Sequence, residues 1–191
     1  MPLDLSETRH LLEPKTEKVE KTLCCLCCQS GPIYLRAEVQ KQAFQAGEPL
    51  VFLFELNNKA TNKPLRKVEA RVMQRVIFYS SSREETQKFT LCSEVLSEGI
   101  SPGGEGTWKD ARLNLPADTV PNFKCKCMLV EYFFVVNVDI ESAFDPKVIF
   151  PITIVDGVTT TQPGLMQSEN GLPNSDTVVY RPPQLQSSGS V

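Results

Sequence analysis

Residues 124–140 read KCKCMLVEYFFVVNVDI, and their alternation decides the fold. Met128, Val130, Tyr132, Phe134, Val136 and Val138 fall on one side of an extended chain. Successive side chains of a strand point to opposite faces, so a period of two sustained this far marks a long strand with one buried face. Its length suits a central position in a sheet.

Working outward, the same period recurs. In IYLRAEV (33–39), Ile33, Leu35, Ala37 and Val39 share one face while Tyr34, Arg36 and Glu38 share the other. FQAGEP (44–49) then breaks the run, with Gly47 free to take a positive φ in a turn. PLVFLFEL (49–56) is nearly all apolar, as a strand with a buried centre should be, and NNKATNKP (57–64) is a polar loop. KVEARVMQRVIFY (67–79) sets Val68, Ala70, Val72, Val76 and Phe78 against Glu69, Arg71 and Arg75. TQKFTLCSEVL (86–96), TWKDARLNLP (107–116) and KVIFPITIV (147–155) are further strands, and SEGISPGGEG (97–106) is a loop. With a cysteine-rich segment at 21–31 this gives roughly eight strands and no amphipathic helix. The expected class is all-β, an antiparallel β-sandwich of immunoglobulin-like architecture, although strand spacing alone does not separate a sandwich from a barrel.

Composition sets the bounds. A chain of 191 residues, 41% hydrophobic and 23% charged, has room for one globular domain with flexible ends. Residues 1–20 are charged and carry only scattered leucines, so they read as a solvated linker; residues 21–157 form the sandwich; residues 158–191, rich in Ser, Thr, Pro and Gln, read as a disordered tail. A net charge of -3 and a pI near 5.3 argue against a nucleic-acid partner. The N-terminus lacks the pattern of a secretory signal, and no run of roughly 18 apolar residues offers a spanning helix. The expected location is therefore the cytoplasm, where the seven cysteines stay out of a disulfide framework.

The residues give little to catalysis. His10, the single histidine, sits in the linker, so no serine or cysteine has a nearby imidazole to activate it. SPGGEG (101–106) precedes a strand, where a phosphate-cradling loop would open a helix. DIESAFDP (139–146) lacks the glycine and ligand spacing of a calcium loop and reads as a solvated turn. Neither an enzyme nor a cofactor is expected. KTLCCLCCQSG (21–31) holds two overlapping Cys-x-x-Cys spacings, and Cys125 and Cys127 offer a second pair, which keeps a cysteine-based zinc or redox module as an alternative. Leu26, standing where a knuckle needs a turn, favours instead a strand of buried thiols, with Cys24, Leu26 and Cys28 facing one way and Cys25 and Cys27 the other. Lipidation of these cysteines is a third possibility.

The local hint of a binding surface is basic. Between residues 59 and 75 lie Lys59, Lys63, Arg66, Lys67, Arg71 and Arg75 against the single acid Glu69. Lys63, Arg66, Lys67, Arg71 and Arg75 are the candidate contacts for acidic lipid or for an acidic or phosphorylated cargo tail, with ordinary solvated strand charges as the plainer reading.

KTLCC with SGPIYL (21–25 and 30–35), AFQAGEPL (43–50), LNNKATNKP (56–64), GTWKDARLNLP (106–116), VEYFFVVNVDI (130–140) and FPITIV (150–155) together resemble the C-terminal domain of the α-arrestins, the arrestin-domain-containing proteins. MPLDL (1–5) resembles the link that precedes that domain. The resemblance implies a non-enzymatic adaptor in protein transport and endocytosis, working in the cytoplasm, at the plasma membrane and at endosomes. Its partners would be membrane-protein cargo, other arrestin-family adaptors or an anionic membrane surface. The family also recruits WW-domain ubiquitin ligases through PPxY motifs. Here Tyr180 precedes Pro182 and Pro183, so direct ligase binding is not expected. There is room for one arrestin sandwich, which implies a single-domain or truncated form. The thioredoxin-interacting branch uses a cysteine just before the tryptophan; Glu105, Gly106 and Thr107 precede Trp108, so that route is not expected either. A generic β-sandwich interaction domain remains the third function class.

Overall fold

The structure, a computed structural model, describes residues 9–25, 28–59, 64–81, 83–141 and 144–155. A short 3₁₀ turn at Arg9–Leu12 leads into ten strands: β1 (Lys15–Cys25), β2 (Cys28–Val39), β3 (Ala43–Gln45), β4 (Pro49–Asn58), β5 (Leu65–Tyr79), β6 (Glu84–Ser97), β7 (Glu105–Asn114), β8 (Phe123–Lys124), β9 (Met128–Ile140) and β10 (Lys147–Val155). They make two sheets. The smaller has the order β1-β2-β4-β7, and the larger β3-β10-β9-β5-β6, with β8 attached to β9.

The inner faces follow the sequence alternation. Ile33, Leu35, Ala37 and Val39 of β2 and Leu50, Phe52, Phe54 and Leu56 of β4 meet Val68, Ala70 and Val72 of β5 and Val130, Tyr132, Phe134, Val136 and Val138 of β9, all of them buried. Phe52 and Phe134 join the sheets through rings 4.8 Å apart, and Phe150 of β10 stacks on Phe134 at 5.8 Å. The architecture is the expected all-β sandwich, with β9 as a central strand between β10 and β5.

Two bulges keep the inner faces in phase. Trp108 and Leu113 lie five positions apart, which strict alternation would place on opposite faces, yet both serve the core. The register against β4 shifts between Phe52 and Phe54, and Asp110 takes φ 53°, so the extra residue of β7 is absorbed there. In β5 the shift against β9 between Leu65 and Lys67 brings both Leu65 and Val68 inward and leaves Arg66 at the irregularity. Gly47 has φ 78° and donates its N–H to the carbonyl of Pro116, turning the chain between β3 and β4.

Trp108 closes the side where β7 and β6 approach. Its indole stacks on Phe54 at 5.5 Å and donates its N–H to the Leu96 carbonyl of β6 at 3.0 Å. The ring lies over Gly106, where a Cβ would stand 2.3 Å from an indole carbon. Any larger residue at 106 would displace the tryptophan.

Several expectations are corrected. Residues 15–20, read as solvated linker, are the first half of β1 and pair with β2 from Lys15↔Val39 onward, while Val19 packs against the core. Charged residues on an edge strand satisfy its outer face, which disguised the strand as a linker. The cysteine segment is not one strand: it ends β1 and begins β2, with Cys25 paired to Cys28 across a hairpin, and Leu26 and Cys27 lie outside the described residues. The facing proposed for those thiols lies outside the described side chains. The sandwich is not wholly antiparallel, since β3 within AFQ pairs parallel with β10. Phe78 is 40% exposed, and Ile77 takes the buried place instead. Residues 158–191 lie outside the described residues.

Candidate functional site

The outer faces remain once the core is filled, and on the larger sheet the alternation of β5 turns Arg71, Met73 and Arg75 away from the core. The register sets Arg71 beside Val135, Met73 beside Phe133 and Arg75 beside Glu131 on β9, and Val135 beside Ile149 on β10. Lys88 of β6 pairs with Arg75. A groove of about 250 Å³ results, floored by Met73, Phe133, Val135 and Ile149 and rimmed by Arg71, Arg75, Lys88 and Lys147. Ile149 at its edge is 42% exposed.

Arg75 is built in place. Its Nε donates to Glu131 at 2.9 Å, Nη2 donates to the same carboxylate, and the guanidinium lies 4.8 Å from the centroid of the Phe133 ring. Arg71 is less satisfied. Its Nη1 stands 3.7 Å from Glu69, while its Nε is buried with no hydrogen-bond acceptor. A buried donor without an acceptor costs about 1–3 kcal/mol, so Arg71 is held less firmly than Arg75.

The five sequence candidates therefore separate. Arg71 and Arg75 share the groove. Arg66 turns to Glu141, and Lys67 bonds Glu69 at 3.1 Å, so each is engaged by an acid and neither lines the groove. Lys63 lies outside the described residues. Sequence counting within residues 59–75 found one acid, but Glu131 and Glu141 arrive from β9 and its following turn. It also missed Lys88 and Lys147, although the alternation of KVIFPITIV puts Lys147 opposite the buried Val148.

Other candidates take structural roles. His10 is exposed in the 3₁₀ turn, and its carbonyl accepts the Glu13 N–H. Asp145 of the DIESAFDP turn accepts the Ile140 N–H at 3.1 Å, bracing the chain after β9. Within the SPGGEG loop, the Gly104 carbonyl accepts the Asn58 N–H. Among the described residues no group of three or more His, Cys, Asp or Glu side chains is placed to hold a metal ion. A joint zinc site for the two thiol groups meets a distance problem. Lys21 of β1 reaches the Phe144 ring beyond the far end of β9, whereas Cys125 and Cys127 precede its near end, with thirteen residues of strand, roughly 40 Å, between. Burial pushes the Cys92 thiol up, as expected of a packed cysteine.

Residues 29–157 match the family described as arrestin (or S-antigen), C-terminal domain. The chain is similar to arrestin domain-containing protein 4 of Homo sapiens, 25% identical over 147 residues that cover 77% of this chain and 34% of the relative. Against the Mus musculus protein of the same name the figures are 24%, 147 residues, 77% and 35%. The chain thus spans about a third of the length of these curated relatives. Among solved structures, Spo0M, a sporulation control protein from Bacillus subtilis, aligns with a TM-score of 0.50 at 19% identity, covering 74% of this chain and 49% of that one; the likeness concerns the fold. No helix of the described residues is long and apolar enough to cross a membrane.

Proposed function

Because the chain belongs to the arrestin C-terminal domain family, we propose that it is a non-enzymatic adaptor in the endocytic sorting of membrane cargo, acting on the cytoplasmic side of the plasma membrane and of endosomes. The single observation that carries the reading is the family match across the sandwich, and the basic groove supplies a contact surface in keeping with it. An acidic or phosphorylated segment of a cargo tail with an apolar side chain suits the groove best. Its carboxylates or phosphates would meet Arg71, Lys88 and Lys147, and its apolar side chain would cover Phe133 and Ile149. Flat anionic lipid would engage the rim cations but leave the apolar floor uncovered.

Two measurements test this. Proximity labelling in cells should return plasma-membrane and endosomal proteins; neighbours drawn only from elsewhere would favour an interaction domain without a trafficking role. In vitro, an acidic peptide carrying one aromatic residue should bind the chain at low salt and lose affinity as salt rises. Flotation with anionic liposomes in the absence of peptide discriminates the second source: binding to liposomes without binding to peptide assigns the groove to the membrane surface.

A further inference from the structure

The sequence KCKC (124–127) holds two cysteines that take no part in the core. In a regular strand, residues i and i+2 are about 6.6 Å apart along the chain, and their side chains stand parallel without meeting. Here the backbone turns. The Cys125 N–H donates to the Met128 carbonyl at 2.8 Å, and the Tyr79 N–H at the end of β5 donates to the Cys127 carbonyl at 2.8 Å. Both ends of the turn are thus pinned to the sheet, and the turn brings the sulfurs of Cys125 and Cys127 to 3.0 Å. The Cys127 N–H also points at the Cys125 sulfur, at 3.4 Å. Cys127 is exposed and Cys125 partly so.

We propose that Cys125 and Cys127 form a dithiol–disulfide exchange site for small disulfides such as oxidised glutathione. Three features support it beyond proximity. The Cys127 thiol stands beside the Cys125 sulfur and the Cys127 backbone N–H is placed to donate to it, and these hydrogen bonds lower the Cys125 thiol's pKa. The backbone donor, which falls on the Cys125 sulfur, assigns Cys125 the attacking role and Cys127 the resolving one. Lys124 and Lys126, both exposed, flank the pair and favour both a thiolate and an anionic disulfide. Cys127 is exposed and neither thiol packs on the core, unlike Cys92, which is partly buried against it.

The exchange balances without further reagents. The Cys125 thiolate attacks one sulfur of the glutathione disulfide, forming a mixed disulfide and releasing one glutathione thiolate. The Cys127 thiolate then attacks the Cys125 sulfur, closing the Cys125–Cys127 disulfide and releasing the second glutathione. The two cysteines lose two protons and two electrons, and the small disulfide gains the electrons. A bond closing so short a loop is readily reduced again, so the site cycles with the redox state around it.

The test uses the full chain and oxidised glutathione. Cleavage after glutamate leaves residues 106–131 as one peptide whose only cysteines are Cys125 and Cys127. After treatment this peptide should be lighter by two hydrogens and resist alkylation, and excess reduced glutathione should restore it. Cys127→Ser should trap the first step as a stable glutathione adduct on Cys125. In the untreated chain Cys125 should alkylate about tenfold faster than Cys92. Two free thiols in that peptide under conditions that oxidise an unstructured control dithiol would overturn the proposal. So would disulfides from 125 or 127 to another chain, or a Cys127→Ser protein without adduct. Both thiols lie outside the core, and circular dichroism would verify that the variant is folded.

Discussion

The outer faces of the two sheets are built from similar residues to opposite effect. On the smaller sheet, Arg36 bonds Glu55 at 2.7 Å and Glu38 at 2.8 Å, and Thr16 of β1 also reaches Glu38. The Glu55 hydrogen bond pushes the Arg36 guanidinium up, as a cation held by acids should be. On the larger sheet Arg75 is likewise held by Glu131, but Arg71 keeps a buried Nε without an acceptor, and Lys88 and Lys147 stand with them around an apolar floor. Satisfied charge makes a solvated surface; cations around exposed apolar side chains make a surface that gains by being covered. Since both sheets share one interior, the difference between them lies in what each still lacks.

The shared interior is the part to break first. Phe134 touches Phe52 across the sheets and Phe150 within its own, and is fully buried. Phe134→Ala should lower unfolding stability by about 3–5 kcal/mol, read from denaturant midpoints at unchanged slope. A loss under about 1 kcal/mol would mean that the two sheets are not held by one core.

The next largest effect separates the outer faces. Charge reversal at Arg71 and Arg75 together should weaken binding of an acidic peptide by tens of fold, at about 1 kcal/mol or more for each cation lost, and leave the fold intact. The same double reversal at Arg36 and Arg112 of the smaller sheet should leave binding within about twofold. Equal losses from both pairs would show a response to net charge alone, and the contrast between the faces would fail.

A smaller effect probes the one polar link in the interior of β9. The Tyr132 hydroxyl donates to the Val120 carbonyl at 2.6 Å and accepts from the Gln74 amide at 2.8 Å, with the side chain 1% exposed. Tyr132→Phe should cost about 1–3 kcal/mol, because both partners are left unsatisfied. Burial raises the phenol above its ordinary pKa. The native state thus holds its proton more tightly than the unfolded chain does. The resulting stabilisation is complete below the unfolded value near 10 and is lost as pH rises through the folded value. Alkaline titration of stability should therefore fall less steeply for Tyr132→Phe than for the parent chain.

How much of this was legible depends on what each residue answers to. The inner faces of β2 and β9, and of β5 as far as Val76, were readable because burial imposes the period of two on the sequence directly. Phase changes were not: nothing in TWKDARLNL announces that Asp110 takes a left-handed conformation, and the switch appears only against the register of β4. β1 was hidden because an edge strand needs only a few inward apolar residues, and here Val19 is flanked by Lys18 and Glu20. At the groove, Arg71 and Arg75 were visible as a local run of cations, whereas Lys88, Lys147 and the neutralising Glu131 come from strands far along the chain. A surface assembled across strands is a property of pairing, which local composition does not encode.

The smallest expected effect sharpens the comparison from the other side. Arg36 is pinned by two acids, and exposed pairs of this kind gain little, because solvent and salt screen them and ordering the side chains costs entropy. Arg36→Met should leave the melting temperature indistinguishable from that of the parent chain, and its peptide affinity at high salt as well. What should change is the charge left behind: Glu38 and Glu55, freed of their partner, make that face more acidic, so repulsion of an acidic peptide should emerge at low salt and vanish at high salt. If Arg36→Met instead weakens binding as much as reversal at Arg71 and Arg75, the paired charges are themselves part of the contact surface, and satisfaction of charge does not distinguish the two faces.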